Sequence, residues 1–580
     1  MNATLLTLAE QSGFTQTGRI DEVERLCAAL SATWADAVDV FEFGRSAEGR
    51  PLQAVLVTRS GARSAQELHD RHIPILMIQA GIHPGESDGK DAGFIELRDM
   101  LSRAEAAPLF ERIAVLFVPA FNADGHERVG RWNRPNQNGP EITGWRTTAE
   151  NLNLNRDYTK ADAPEMHAML SLIGTWDPLI CADMHVMDGA DFEPDISIQV
   201  EPINQGDPHL WRAGIQLRDA LIDRLARRGS LPLPFYPDLY ETDNPESGFL
   251  LTVYSPRFST GYYPQRNRFT VLVETHSWKP YAKRVQTVRN TIEGLIELTA
   301  EHGAAWLEQT RAADVAACSL GGSTLTLDFK SSWREPAKAG KAAVEHGTNG
   351  SELIDFRGYA YTRKHSPLSG GQVTVYDPST PQVWRVPYRG RVEPAVVIQA
   401  PRVGYFIPRA YAQRIGPCLT RHGIDVLPVP KHMDHEALEQ FRATQVSFSK
   451  QPYEGRMRAN IQGKWRALNR QIAEPALFVP IAQALARLIV ALLEPQAPDS
   501  FAAWGFFNTC FEQKEQLEPY VAEQIARELY ESNQELRDEF ERNLTADAAL
   551  RADPAARLEF FCRHHSSWDP QMNCYPIFRA

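Results

Sequence analysis

The stretch Ile73-Pro74-Ile75-Leu76-Met77-Ile78-Gln79-Ala80-Gly81-Ile82-His83-Pro84-Gly85-Glu86 decides how the chain is read. Its first half, Ile73 to Gln79, is a short apolar and largely β-branched run with the length of a buried strand. Its second half is a turn that sets an imidazole and a carboxylate three residues apart just where the strand ends. Zn²⁺ accepts one nitrogen and one oxygen donor readily. Alone, the pair His83 and Glu86 also fits a surface turn stiffened by Pro84, so the rest of the chain has to decide.

Working outward, further strand-like runs are Leu52 to Val57, Ile113 to Val118, Leu179 to Ala182 and Phe269 to Val273. Between them lie helical stretches. Asp88 to Leu101 repeats Phe94, Leu97 and Leu101 at spacings of three and four, and a second helix is expected over Lys283 to Leu298. From about Asp21 to His302 this alternation is that of an α/β layer architecture. Two of the runs are followed by polar groups: Asp183-Met184-His185 and Glu274-Thr275-His276. The carboxyl ends of strands in an open α/β sheet are where ligands bind, so groups far apart in sequence can converge there. A His, a Glu and a second His then make three ligands and leave a fourth position for water, which is a catalytic rather than a structural zinc arrangement. Glu274 needs no metal contact to serve, because it can take the proton of a water acidified by the metal. Its alternative is a strand-end ion pair with Arg266 or Arg268.

The set His83 to Glu86, Asn122-Ala123-Asp124-Gly125, Asn151-Leu152-Asn153-Leu154-Asn155-Arg156, His185 and Glu274 resembles the zinc metallocarboxypeptidases of the carboxypeptidase A and B type, over about residues 20 to 300. The resemblance implies a mixed central sheet flanked by helices, one Zn²⁺ per chain held by His83, Glu86 and His185, and Glu274 as general base. It implies that Asn155 and Arg156 grip the terminal carboxylate of a peptide. A planar guanidinium suits that task through paired charge-assisted hydrogen bonds; the alternative for Arg156 is an ion pair with Asp157 or another nearby acid. The family's oxyanion arginine falls on Arg134 or Arg131, with Arg134 preferred for its spacing to Asn136 and Gly139. Its tyrosine falls on Tyr254, Tyr262 or Tyr263. Two departures stand out. Asn153 occupies the position of the family's aspartate behind the first zinc histidine, and Ala123 replaces a proline. An insertion-like segment, Gln137 to Glu150, follows the arginines. His276, His126 and His167 lie near the motifs without an assigned role.

Composition limits the remaining possibilities. The 580 residues are 43% hydrophobic and 23% charged, with a formal net charge of −12. That is a folded chain with no basic field for nucleic acid or an anionic membrane. Seven scattered cysteines show no C-x-x-C spacing and read as mostly buried free thiols. No signal peptide is visible, so a cytoplasmic location is the expectation. The longest apolar stretch, Ala476 to Leu493, is interrupted by Pro480, Gln483 and Arg487 and reads as a buried helix rather than a membrane span.

Three regions are expected: a catalytic domain over 1–310, a β-rich module over 320–435, and a helical region over 436–580. Ser331 to Glu352 reads as a linker. Short strands are expected at Thr374 to Tyr376, Val383 to Val386 and Ala395 to Gln399. Phe478, Ile481, Leu485, Leu488, Ile489 and Leu492 read as one helical stripe, followed by a charged helix over Leu517 to Leu544. His432, Asp434 and His435 read as a solvated helix start. The last 260 or so residues carry no recognisable chemistry and are expected to cover or extend the catalytic domain. The expected function is hydrolysis of the C-terminal peptide bond, on a peptide or small amide substrate with a free carboxylate. The alternatives are a zinc deacylase or amidohydrolase acting on acylated amino acids or cell-wall peptides, and a silent peptide-binding relative.

Overall fold

The computed structural model describes residues 3–332, 352–429, 438–468 and 475–580. Most of the presumed linker and the cluster His432, Asp434 and His435 lie outside the described residues. The centre is an eight-stranded mixed sheet, β1 (Val38–Arg45), β2 (Pro51–Val57), β3 (Ile75–Gln79), β4 (Ala114–Val118), β5 (Ile180–Met187), β6 (Ile196–Glu201), β7 (Pro232–Leu233) and β10 (Phe269–His276), in the order β1-β2-β4-β3-β5-β10-β6-β7. The strands β4, β3, β5 and β10 run parallel, and antiparallel strands flank them on both sides.

The unbroken apolar run of β3 follows from burial on both faces. Leu76 and Ile78 enter one core, while Ile75 and Met77 enter the other. Pro74 has no N–H for the ladder, so the strand starts at Ile75 rather than Ile73. The first core is closed by the helices Ile20–Thr33, Asp88–Ser102, Trp211–Arg227 and Tyr281–Ala317. The last of these passes well beyond Leu298 because Trp306, Ala313 and Ala317 continue its buried face.

The second core is shared. It joins Tyr158, Met166 and Tyr262 from the first part of the chain to Tyr405, Leu488 and Trp504 from the last part. Direct hydrogen bonds cross the same boundary, Tyr262 Oη to His422 Nδ1 at 2.9 Å and Trp504 Nε1 to Thr159 Oγ1 at 2.9 Å.

The later region holds more strand than its composition suggests. β8 (Asp238–Leu239) and β9 (Phe249–Leu250) extend the long hairpin of β12 (Glu352–His365) and β13 (Gln372–Arg389) into a four-stranded sheet. β11 (Thr324–Ser332) pairs with β14 (Arg391–Gln399). Six further strands, β15 (Gly404–Pro408), β16 (Leu427–Pro428), β17 (Glu439–Phe448), β18 (Ala459–Ala467), β19 (Pro475–Pro480) and β20 (Cys574–Arg579), form a fourth sheet. The region after residue 436 therefore mixes strands and helices. The apolar stripe from Phe478 to Leu492 is not one helix: Pro480 ends a strand in which Phe478 pairs with Phe406, and a helix follows only at Ala486–Leu493. The charged stretch is two helices, Pro519–Ser532 and Gln534–Ala546, divided at Asn533, whose side chain caps the second by accepting from Leu536 N. Five of the seven cysteines are buried. Among the described residues no helix is long and apolar enough to cross a membrane.

Candidate metal centre and substrate cleft

His83, Glu86 and His185 converge as the sheet topology requires: β3 and β5 are neighbours, and the turn after β3 folds back over the end of β5. Glu86 N donates to His83 O at 2.9 Å, which closes that turn. Gly85 is needed in it, because a Cβ there would lie 2.5 Å from Arg134 Cγ and 3.0 Å from Gly144 O. His185 lies inside β5 and Glu274 inside β10, so both strands run further than their apolar cores, held by mutual pairing.

Each imidazole is oriented from behind. Asn153 Oδ1 accepts from Asn155 N at 3.0 Å and lies 3.0 Å from His83 Nε2, so it is the acceptor of that ring's N–H. Asp183 Oδ2 lies 2.9 Å from His185 Nε2, and Asp183 is itself held by Ser259 Oγ and Gln79 Nε2. Both Nδ1 atoms therefore turn inward onto Glu86, at 3.1 Å from Oε1 for His83 and 2.9 Å from Oε2 for His185. His83 Nδ1 is buried yet not aligned for any hydrogen bond. One ligand atom from each of the three side chains lies within 4.8 Å of the other two, and no other group of this kind occurs among the described residues. Two nitrogens and one carboxylate oxygen, buried and oriented by outer partners, fit a zinc ion.

The charges at His83 and Glu86 agree with that role, whereas neighbouring carboxylates draw His185 toward its protonated form, whose Nδ1 proton a metal would have to displace. Burial lowers the His83 pKa to about 4, keeping a neutral ring with a lone pair to donate. At Glu86 burial favours the neutral acid, but His83, Arg134 and His185 outweigh it and hold the group ionised. At His185 burial is likewise overcome, here by Asp183 and Glu86, and the pKa rises.

Glu274 is the register partner of His185 across β10 and β5. Its Oε2 is buried without a hydrogen-bond partner among the described residues, and burial pushes the carboxyl up to about 8. The ion pairs considered for it do not form. Arg266 donates to His422 O at 2.7 Å, and Arg268 binds Asp177 and Asp314.

Arg134 comes into the site, with Nη1 3.1 Å from Glu86 Oε1, whereas Arg131 lies over the exposed ring of Trp132. Arg146, which no motif singled out because it sits in the insertion-like segment, also reaches Glu86 Oε1 at 3.2 Å. Asn155 Oδ1 accepts from Ser259 N at 3.2 Å. Arg156 has no carboxylate partner among the described residues, since Asp157 pairs with Lys160 instead. Arg156 donates to Asn155 O at 2.6 Å and lies 4.2 Å over Phe258. Burial lowers its pKa, with Arg146 and Arg257 pushing the same way.

The metal group, Glu274, Arg146, Asn155 and Arg156 line a cavity of about 140 Å³ together with Tyr236 and Tyr254, whereas Arg134 touches Glu86 without lining it. Tyr262 and Tyr263 are fully buried elsewhere, so Tyr254 is the one of the three tyrosines in the cleft. Tyr236 was not anticipated; it comes from an irregular segment with no recognisable spacing. Larger hollows of about 350 and 650 Å³ lie away from these residues, so chemistry rather than size marks the cleft. His276, His126 and His167 stay out of the metal group, bound to Phe192 N, Asn122 O and Ala161 O.

Residues 23–190 match the family model described as zinc carboxypeptidase. Carboxypeptidase 2 of Trichophyton tonsurans is 23% identical over 475 residues, covering 80% of this chain and 79% of its own. Among solved structures, carboxypeptidase A of Helicoverpa armigera aligns at 16% identity and a TM-score of 0.35, over 50% of this chain and 74% of its own. A metallo-carboxypeptidase of Burkholderia cenocepacia aligns at 18% identity and a TM-score of 0.33, over 49% and 68%.

Proposed function

From a chain whose residues 23–190 match the zinc carboxypeptidase family model and whose His83, Glu86 and His185 form a group that could hold a metal ion, we propose a zinc-dependent carboxypeptidase that hydrolyses the last peptide bond of a substrate with a free C-terminus. The observation that carries the choice of bond is Arg156, a half-buried guanidinium that lines the cleft with no acid among the described residues to neutralise it. A carboxylate supplied by the substrate completes it.

Zinc, when bound by His83, Glu86 and His185, supplies the Lewis acidity that acidifies a water and polarises the scissile carbonyl. Glu274 accepts the proton of the attacking water through its unpartnered Oε2 and delivers it to the departing amine. Arg134, with Nη1 3.1 Å from Glu86 Oε1, sets positive charge beside the metal group, and we assign it to stabilising the oxyanion. Arg156 and Asn155 hold the terminal carboxylate, which places the last peptide bond, and no internal one, beside Glu274.

The test is product analysis on a mixed library of free-acid and C-terminally amidated peptides, with metal content measured alongside. Release of single C-terminal residues from the free acids, with about one zinc per chain, is the expected result. Zinc with cleavage of acylated amino acids only would establish a deacylase, whose substrate presents the same free carboxylate. Peptide binding without any cleavage would establish a silent relative.

A further inference from the structure

Two residues of the distant C-terminal region reach the segment that carries Asn155 and Arg156. Tyr453 and Glu454 lie in the turn between β17 and β18, closed by Tyr453 N to Arg456 O at 2.9 Å and Arg456 N to Tyr453 O at 3.1 Å. Tyr453 Oη accepts from Arg156 Nε at 3.0 Å, and the Glu454 carboxylate accepts from Asn153 N at 2.8 Å. The turn is anchored on several sides. Arg456 binds Asp162 at 2.7 and 2.5 Å. The Tyr453 ring stacks on Trp504, with centroids 6.0 Å apart and planes 12° off parallel, and Arg458 lies 4.6 Å over the same Trp504 ring.

We propose that Tyr453 is a positioning and specificity residue of the carboxylate subsite, contributed by the C-terminal region: it orients Arg156 and offers its own hydroxyl to the same carboxylate. This rests on the reading of Arg156 as the anchor. With Nε on Tyr453 and Nη1 on Asn155 O, the long arginine side chain is held at two points, and Nη2 has no partner among the described residues. A carboxylate in the place of Tyr453 would hold the guanidinium equally well but would neutralise it and compete with the substrate. A phenol holds it without competing. Because the Tyr453 oxygen accepts from Nε–H, its own hydrogen is left to donate, and no described residue takes it. Tyr453 Oη and Arg156 Nη2 thus form a pair of donors, one of them charged, that favours an anionic carboxylate over a neutral amide.

The experiment compares full-length, zinc-loaded wild type, Tyr453→Phe and Arg156→Ala on a peptide and its C-terminal amide. Binding of the free-acid peptide to the metal-free proteins is measured by calorimetry. Phenylalanine keeps the stack on Trp504, and melting temperature and zinc content report whether the fold is intact. Tyr453→Phe is expected to narrow the preference for free acid over amide about five- to tenfold, with the loss carried by KM rather than kcat, and to weaken calorimetric binding by a similar factor. Arg156→Ala is expected to abolish the preference. If Arg156→Ala abolishes it and Tyr453→Phe leaves both the preference and the binding unchanged, the role of Tyr453 is overturned while the anchor stands. If Arg156→Ala leaves the preference intact, the anchor itself is wrong and the role of Tyr453 falls with it.

Discussion

Glu274 and His185 are register partners on the neighbouring parallel strands β10 and β5, so the proposed base and the second histidine of the candidate metal group are placed by one ladder. Their relative position depends on backbone hydrogen bonds rather than on loop conformation, which is how a site comes to be rigid enough for proton transfer. The unpartnered Oε2 of Glu274 is the expense of that placement, since a buried carboxylate oxygen without a donor is unfavourable unless chemistry uses it.

Glu274→Gln keeps the shape of the side chain and removes its basicity. Turnover of a free-acid peptide is expected to fall by about 10²–10⁴-fold, with zinc content unchanged by metal analysis. Near-full turnover in this variant would refute the role of Glu274.

Arg156→Ala removes a charged hydrogen-bonding group worth about 1.5–3 kcal/mol, or roughly 10- to 150-fold in affinity. KM for free-acid peptides is expected to rise by that order in steady-state assays. An unchanged KM would mean that the substrate carboxylate binds elsewhere.

Asp183→Asn leaves His185 with a neutral partner on Nε2. Zinc affinity, measured by competition with a chromophoric chelator, is expected to drop about 10- to 100-fold. Wild-type affinity in this variant would show that the Asp183 contact does not tune the metal.

Stability should depend on pH through His126, His276 and His422, whose pKa values burial lowers to about 4, 3 and 3. In the unfolded chain these rings titrate near 6.5. Between 6.5 and the folded values the unfolded chain therefore binds more protons than the folded one. The stability they contribute is whole above 6.5 and is lost as pH falls toward 4 and then 3. Unfolding by denaturant between pH 8 and 5 is expected to show it, and His422→Gln should remove about one proton from the slope. A stability independent of pH over that range would contradict the burial of these rings as neutral groups.

Ending the chain at Ala317 would strip the second face of the central sheet, leaving Tyr158, Met166 and Tyr262 without the packing that Tyr405, Leu488 and Trp504 provide. Such a fragment is expected to be insoluble, and limited proteolysis should not release an active N-terminal piece. A soluble, fully active fragment would show that the last 260 or so residues are dispensable.

What the sequence by itself determined is local chemistry and its periodicity. The strand β3 and the turn after it with His83 and Glu86, His185 and Glu274 each at the end of an apolar run, and the helix from Asp88 are legible because each is written in a few consecutive residues. The tertiary structure decided what consecutive residues cannot express. It chose Arg134 over Arg131 and Tyr254 over Tyr262 and Tyr263, because only the folded backbone brings one member of each set to the metal group or the cleft and buries or exposes the others. It supplied Asp183 and Arg146, whose partners lie on other elements. It divided the Phe478 to Leu492 stripe at Pro480, since Phe478 pairs with a strand whose identity the stripe does not contain. It also carried Tyr453 to Arg156, a contact between segments that nothing in either one specifies. Side-chain type and spacing are properties of a segment, whereas register, core sharing and hydrogen-bond partnership belong to pairs of segments and exist only once the chain has folded.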